Sequence, residues 1–116
     1  MATDIIDTSD TSEVFADTVP KVHIRFFGSI RVAAQKSSDD LDLPPDTTVY
    51  KLMQTLSEIY GKDLHDELID NNGTGGLRDD LMITLNEVII NHEKVHELKI
   101  NGNDIVALFP TFPGGG

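Results

Sequence analysis

Three glycines, Gly114, Gly115 and Gly116, follow an apolar run that begins at Asp104 and passes through Ile105-Val-Ala-Leu-Phe-Pro-Thr-Phe-Pro113. A terminal glycine has no Cβ, so its carboxylate can enter a narrow channel and lie close against another protein's backbone. Pro110 and Pro113 fix φ on the approach and limit the freedom lost when the tail is ordered. This pattern is expected where the carboxylate of Gly116 is itself the working group. Gly115, Gly114, Pro113 and Phe112 would then be the segment that threads it into a partner. The plain alternative is a frayed chain end.

Other residue groups imitate known chemistry. His92-Glu-Lys-Val-His96 has the spacing of the zinc-protease motif H-E-x-x-H, which works on a helix, where positions i and i+4 share a face. Here it follows the strand-like Val88-Ile-Ile-Asn91, and Asn101-Gly102 breaks any helix soon after. A catalytic zinc also needs a third protein ligand, so solvated loop histidines and no metal are expected. Asn72-Gly-Thr74 is a glycosylation sequon with no signal peptide to deliver it. Gly73-Thr-Gly-Gly76 lacks the Lys-Ser/Thr and the helix of a phosphate cradle. Asp39, Asp40 and Asp42 read as a solvated strand face rather than a cation site, and His23 and Arg25 as solvent-facing strand residues.

The composition narrows the classes. At 116 residues the chain has room for one domain and one modest core. Its net charge is −11, and five acids fall in the first twenty residues, leaving fifteen acids against nine bases in the rest. That balance argues against nucleic acid or a membrane as partner and favours basic protein surfaces. The absence of cysteine excludes disulfides and thiolate nucleophiles. No secretory signal and no apolar run near the ~20 residues of a membrane helix is visible, so a cytoplasmic location is expected.

The elements that must position the tail are legible in outline. Residues 1–20 are acidic and polar without a period, a disordered leader. In Lys21–Phe27, Val22, Ile24 and Phe26 alternate with His23, Arg25 and Phe27, the period of a half-buried strand. Ser29 is placed to cap a short helix from Ile30 to Lys36, and Leu41 and Leu43 mark a second strand stopped by Pro44-Pro45. After Thr48, a good N-cap, Val49, Leu52, Met53, Leu56, Ile59 and Tyr60 form one helical face that ends at Gly61. Leu64, Leu68 and Ile69 indicate a further short helix, and residues 71–76 a mobile loop. Strands follow at Leu81–Asn86, Val88–Asn91 and, after the turn Asn101-Gly-Asn-Asp104, Ile105–Phe109. The order predicts a compact α+β domain over residues 21–110, with residues 111–116 as a flexible tail. By alternation Phe27 and Phe109 point away from the helix side. On neighbouring first and last strands they would form an apolar docking patch beside the tail, unless one is tucked under a loop.

The chain resembles the MoaD/ThiS group of ubiquitin-like sulfur carriers, most closely the small subunit of molybdopterin synthase. The resemblance covers about residues 21–116. It is carried by Phe26-Phe-Gly-Ser-Ile-Arg31, Leu43-Pro-Pro-Asp-Thr-Thr-Val-Tyr-Lys-Leu52, Thr84-Leu-Asn-Glu87 and Gly102-Asn-Asp-Ile-Val-Ala-Leu-Phe-Pro110, followed by the glycine end. It implies a β-grasp fold, a mixed sheet of about five strands crossed by one main helix. It also implies a non-catalytic carrier with no bound cofactor. A ubiquitin-activating-enzyme-like adenylyltransferase of the MoeB/ThiF type uses ATP to adenylate Gly116, and sulfur then gives a thiocarboxylate. A large synthase subunit of the MoaE type accepts the tail. Of the family's functional residues, Gly116, with Gly115 before it, matches securely. The chain departs from the family pattern in its third glycine, its acidic leader and a longer stretch between Asn86 and Asn101. Two alternatives stay open: a protein modifier joined through Gly116 to target lysines, and a sulfur carrier for thiamin or tRNA.

Overall fold

The computed structural model describes residues 21–70 and 76–111. The leader, the loop 71–75 with its sequon, and the tail residues Phe112, Pro113, Gly114, Gly115 and Gly116 lie outside the described residues.

The elements run β1 (Val22–Phe26), α1 (Gly28–Ala34), β2 (Ser38–Leu41), α2 (Val49–Tyr60), α3 (Lys62–Leu68), β3 (Leu81–Leu85), β4 (Val88–Ile89), a 3-10 turn (His92–Lys94) and β5 (Ile105–Pro110). The strands form one sheet in the order β2-β1-β5-β3-β4. β5 is parallel to β1 and antiparallel to β3, so the last strand is the central one. A strand bonded on both sides gives whatever follows it a rigid root.

One face of this sheet is the core. Val22, Ile24 and Phe26 on β1, Leu81 and Ile83 on β3, and Val106 and Leu108 on β5 are buried on it. Against them α2 sets Val49, Leu52, Met53 and Leu56, all fully buried. Thr48 caps α2 as expected, its side-chain oxygen accepting from the Lys51 N–H at 3.1 Å. Among the described residues two short helices accompany the main helix α2, as the sequence indicated: α3 buries Leu64 and Leu68 and packs on both α1 and α2.

Several local expectations are corrected. β2 is Ser38–Leu41, two residues earlier than the leucines suggested, because its register on β1 pairs Val22 with Leu41 and Ile24 with Asp39. That register turns Asp39 to the helix side, where its carboxylate accepts a hydrogen bond from the Tyr60 hydroxyl on α2. Burial first, and the Asp39 carboxylate second, push the Tyr60 phenol well above its ordinary range. Asp40 and Asp42 do stay on the surface, paired with His23 and Lys21 at 2.8 and 2.9 Å. Ser29 is no cap: Phe27 occupies the position before α1, without a side-chain cap bond, and the Ser29 hydroxyl donates to Glu67 of α3 at 2.7 Å. Ile59 is 53% exposed. β4 has only two residues, because Asn91 turns to cap the 3-10 segment.

The H-E-x-x-H residues lie on that 3-10 turn and its exit, not on an α-helix. Nor are the two histidines simply solvated. His92 is half-buried with Nε2 2.6 Å from the Leu81 carbonyl, and the His96 ring lies 4.3 Å from that of Tyr50.

Candidate functional site

The site is the outer face of the sheet where β5 ends. Residues alternate along β5, so Val106 and Leu108 enter the core while Ile105, Ala107 and Phe109 face out. On β1, His23, Arg25 and the following Phe27 face out by the same rule. Register then builds cross-strand rows. His23 lies beside Ile105, and Arg25 beside Ala107. Phe109 lies beside Met82, Ala107 beside Thr84, and Thr84 beside Ile89.

At the end of these rows the rings of Phe27 and Phe109 are stacked, with centroids 4.4 Å apart and planes 9° from parallel. Phe27 is 38% exposed and Phe109 half-buried. The two rings therefore form one surface feature, beside the point where Thr111 leaves the sheet. Ile105 and Ile89, at 37% and 67% exposed, extend apolar surface along the same face. Those two, with Met82, were missed by a reading centred on the phenylalanines. The signal available for Met82 was the alternation of Leu81–Leu85. For Ile89 it was the two-residue turn, where Asn86 and Glu87 take φ of 52° and 73° and so fold β4 back on β3.

The turn side of the same face is tied to the start of β5. The Asn86 amide donates to Asp104 at 3.0 Å and its oxygen accepts from the Ile105 N–H at 2.9 Å. The sequence alone placed Asn86 at the end of a strand. The structure adds that it fixes the register of the strand that carries Phe109.

Its rings and aliphatic side chains offer contact area, and His23, paired with Asp40 at 2.8 Å, lies at the far end of the same face. Among the described residues no group of three or more histidines or carboxylates is placed to hold a metal ion. What the arrangement can do is dock on an apolar surface and present whatever follows Thr111 in a defined direction.

Comparison with known proteins places this geometry. The model of the ThiS family matches residues 24–115. The chain belongs to the ThiS family. It is thus one of the ubiquitin-like sulfur carriers and modifiers, and its five-stranded sheet with crossing helices is the β-grasp. Among solved structures, Urm1 from Trypanosoma brucei is 26% identical, with a TM-score of 0.65 and coverage of 82% of this chain and 95% of that one. The small archaeal modifier protein 1 of H. volcanii is 18% identical at a TM-score of 0.69, covering 80% and 99% of the two chains. A putative molybdopterin converting factor subunit 1 from Pyrococcus furiosus is 19% identical at 0.62, again covering 80% and 99%. The last two likenesses establish the fold. No match was found among curated protein sequences. Members of the family work with E1-like activating enzymes and synthase partners.

Proposed function

We propose that the chain is a cytoplasmic sulfur carrier whose Gly116 carboxylate is converted to a thiocarboxylate that supplies sulfur to molybdopterin. The observation that carries the reading is the family match across residues 24–115. It includes the tail glycines Gly114 and Gly115 as well as the fold. The molybdopterin branch rests on the sequence signatures at Phe26–Arg31 and Gly102–Pro110, which resemble the small subunit of molybdopterin synthase.

The chemistry follows from the electrophile. A carboxylate at neutral pH resists nucleophiles. On the activating enzyme its oxygen attacks the α-phosphorus of ATP, pyrophosphate leaves, and an acyl adenylate remains. Hydrosulfide from the sulfur donor then attacks the acyl carbon, AMP leaves with the bonding electrons, the sulfur loses its proton, and the thiocarboxylate results. ATP and the catalytic groups belong to the partner of the MoeB/ThiF type. This chain contributes docking, through Phe27 and Phe109 with Phe112 and Pro113 beyond them, and a thin arm, Gly114–Gly116. A large subunit of the MoaE type receives the loaded arm. The net charge of −11 favours protein partners with basic surfaces over nucleic acid or membrane.

The experiment combines the chain with an activating enzyme, MgATP, a sulfur donor, a large synthase subunit and the pterin precursor. Molybdopterin should form, and deletion of Gly115-Gly116 should stop it. The likeness to Urm1 and to an archaeal modifier protein favours a second reading, conjugation of Gly116 to target lysines. An isopeptide-linked ladder in cells without molybdopterin formation would select it.

A further inference from the structure

The root of the arm is clamped on two sides. On the β3 side, the Thr111 N–H donates to the Asp80 carbonyl at 2.6 Å, and the Thr111 hydroxyl donates to the same oxygen at 2.8 Å. Two donors on one carbonyl use both of its lone pairs. Asp80 is itself held: Arg78 grips its carboxylate with Nε and a terminal nitrogen at 3.0 and 2.9 Å, and the other terminal nitrogen donates to the Asp66 carbonyl of α3 at 2.8 Å. A paired guanidinium fork of this kind fixes direction as well as distance.

On the β1 side stands Gly28, with φ of +59°. A Cβ there would meet Pro110 Cγ at 2.6 Å and Cδ at 3.1 Å. Backbone donors alternate along a strand. Because the Thr111 N–H points to β3, the Pro110 nitrogen faces the side where β1 has given way to α1. The proline ring fills that side and seats on the bare Gly28 backbone. The glycine is required twice there, by its left-handed conformation and by the approach of the ring.

Thr111 is exposed, and both of its bonds go to one main-chain carbonyl. We propose that Thr111, on Asp80, and Gly28, under Pro110, are positioning residues that set the exit direction of the glycine arm toward the activating site. The proposal rests on the carrier reading and adds to it where the arm begins. The five residues Phe112–Gly116 can span at most roughly 17–18 Å at ~3.3–3.6 Å per residue. With so short a reach, a root turned the wrong way leaves the carboxylate outside the reaction geometry, and misplacement by about 1 Å can cost a hundredfold in rate.

The test uses the full chain with the E1-like activating enzyme of the same genome, MgATP and labelled pyrophosphate, reading ATP–pyrophosphate exchange as carrier concentration is varied. Thr111→Val, which keeps shape and loses the hydroxyl, should lower kcat about tenfold with KM within about twofold of wild type, and Thr111→Ser should restore it. Gly28→Ala should lower kcat at least as much. Gly28→Ala with Pro110→Ala, which removes the ring the new methyl meets and leaves the strain of the left-handed backbone, should recover part of it. Hydrogen exchange at the Thr111 amide, measured without any partner, should be slow in wild type and faster in both single variants. Wild-type kcat in Thr111→Val and Gly28→Ala, with the wild-type chain activated, would overturn the positioning role and leave the carrier reading standing. A rise in KM alone would also overturn it, because that marks docking. No exchange with the wild-type chain itself would remove the carrier reading and the positioning role together.

Discussion

Phe27 and Phe109, 82 positions apart in the sequence, stack at 4.4 Å on the outer face of the sheet, two residues before the chain leaves it. Neither ring belongs to the core. Phe109→Ala should weaken docking to the activating enzyme by ~1–2 kcal/mol, as expected of an aromatic anchor. Calorimetric titration measures it, with circular dichroism to show that the fold persists. An unchanged Kd would remove the patch from the docking account.

Tyr60 makes the stability of the fold depend on pH at the alkaline end. Burial and the neighbouring Asp39 hold its phenol proton, so the folded chain keeps a proton that the unfolded chain loses near pH ~10. A raised value in the fold means that the contribution is fully present below that pH and falls away above it. Denaturant titration should therefore show wild-type stability dropping faster above pH ~10 than that of Tyr60→Phe, which has no phenol proton to lose. At neutral pH Tyr60→Phe should cost about 1 kcal/mol, the lost hydrogen bond with a charged acceptor left behind. Parallel pH profiles for the two proteins would contradict this.

His92 carries a structural bond. Its Nε2 faces the Leu81 carbonyl at 2.6 Å, so that nitrogen holds the ring proton. His92→Ala should lower stability by ~0.5–1.5 kcal/mol, and a chelator should leave the melting temperature of wild type unchanged. Stoichiometric zinc in the purified protein, lost on His92→Ala, would reverse the assignment.

Leu56 sits at 0% exposure in the middle of the buried face of α2. Leu56→Ala should cost ~2–5 kcal/mol through lost burial and the cavity left behind, whereas Thr48→Ala, which removes only the cap, should cost ~1 kcal/mol. Urea unfolding orders the two. A cap variant that destabilised as much as the core variant would contradict the packing described for α2.

Much of this fold was legible, and the exceptions have physical causes. The stripe Val49, Leu52, Met53, Leu56 and Tyr60 announced α2, since positions three and four apart share a face. Ile59 belonged to the same stripe on paper, yet at 100° per residue it lies about 70° from the stripe's centre, and the sheet does not cover it. β2 was misplaced because Asp39, an acid at an inward position, hides the alternation. The Tyr60 hydroxyl, 21 residues away, together with the Asp40 N–H at 2.9 Å and the Lys36 ammonium at 3.7 Å, makes that position tolerable. The outward alternation of Phe27 and Phe109 followed from period two alone. The hold of Asp80 on Thr111 did not, because a contact 31 residues apart depends on the register of β3 on β5, which no local pattern encodes.

The central claim is that Gly116 is the atom site of sulfur transfer, and the mass of the chain tests it most directly. Incubation with an activating enzyme, ATP and a sulfur donor should raise the mass by about 16 Da, one oxygen replaced by sulfur at an activated acyl carbon. The increment should map to the C-terminal fragment and vanish when Gly115 and Gly116 are deleted. An unchanged mass after incubation with an activating enzyme proven active on another carrier would contradict the account.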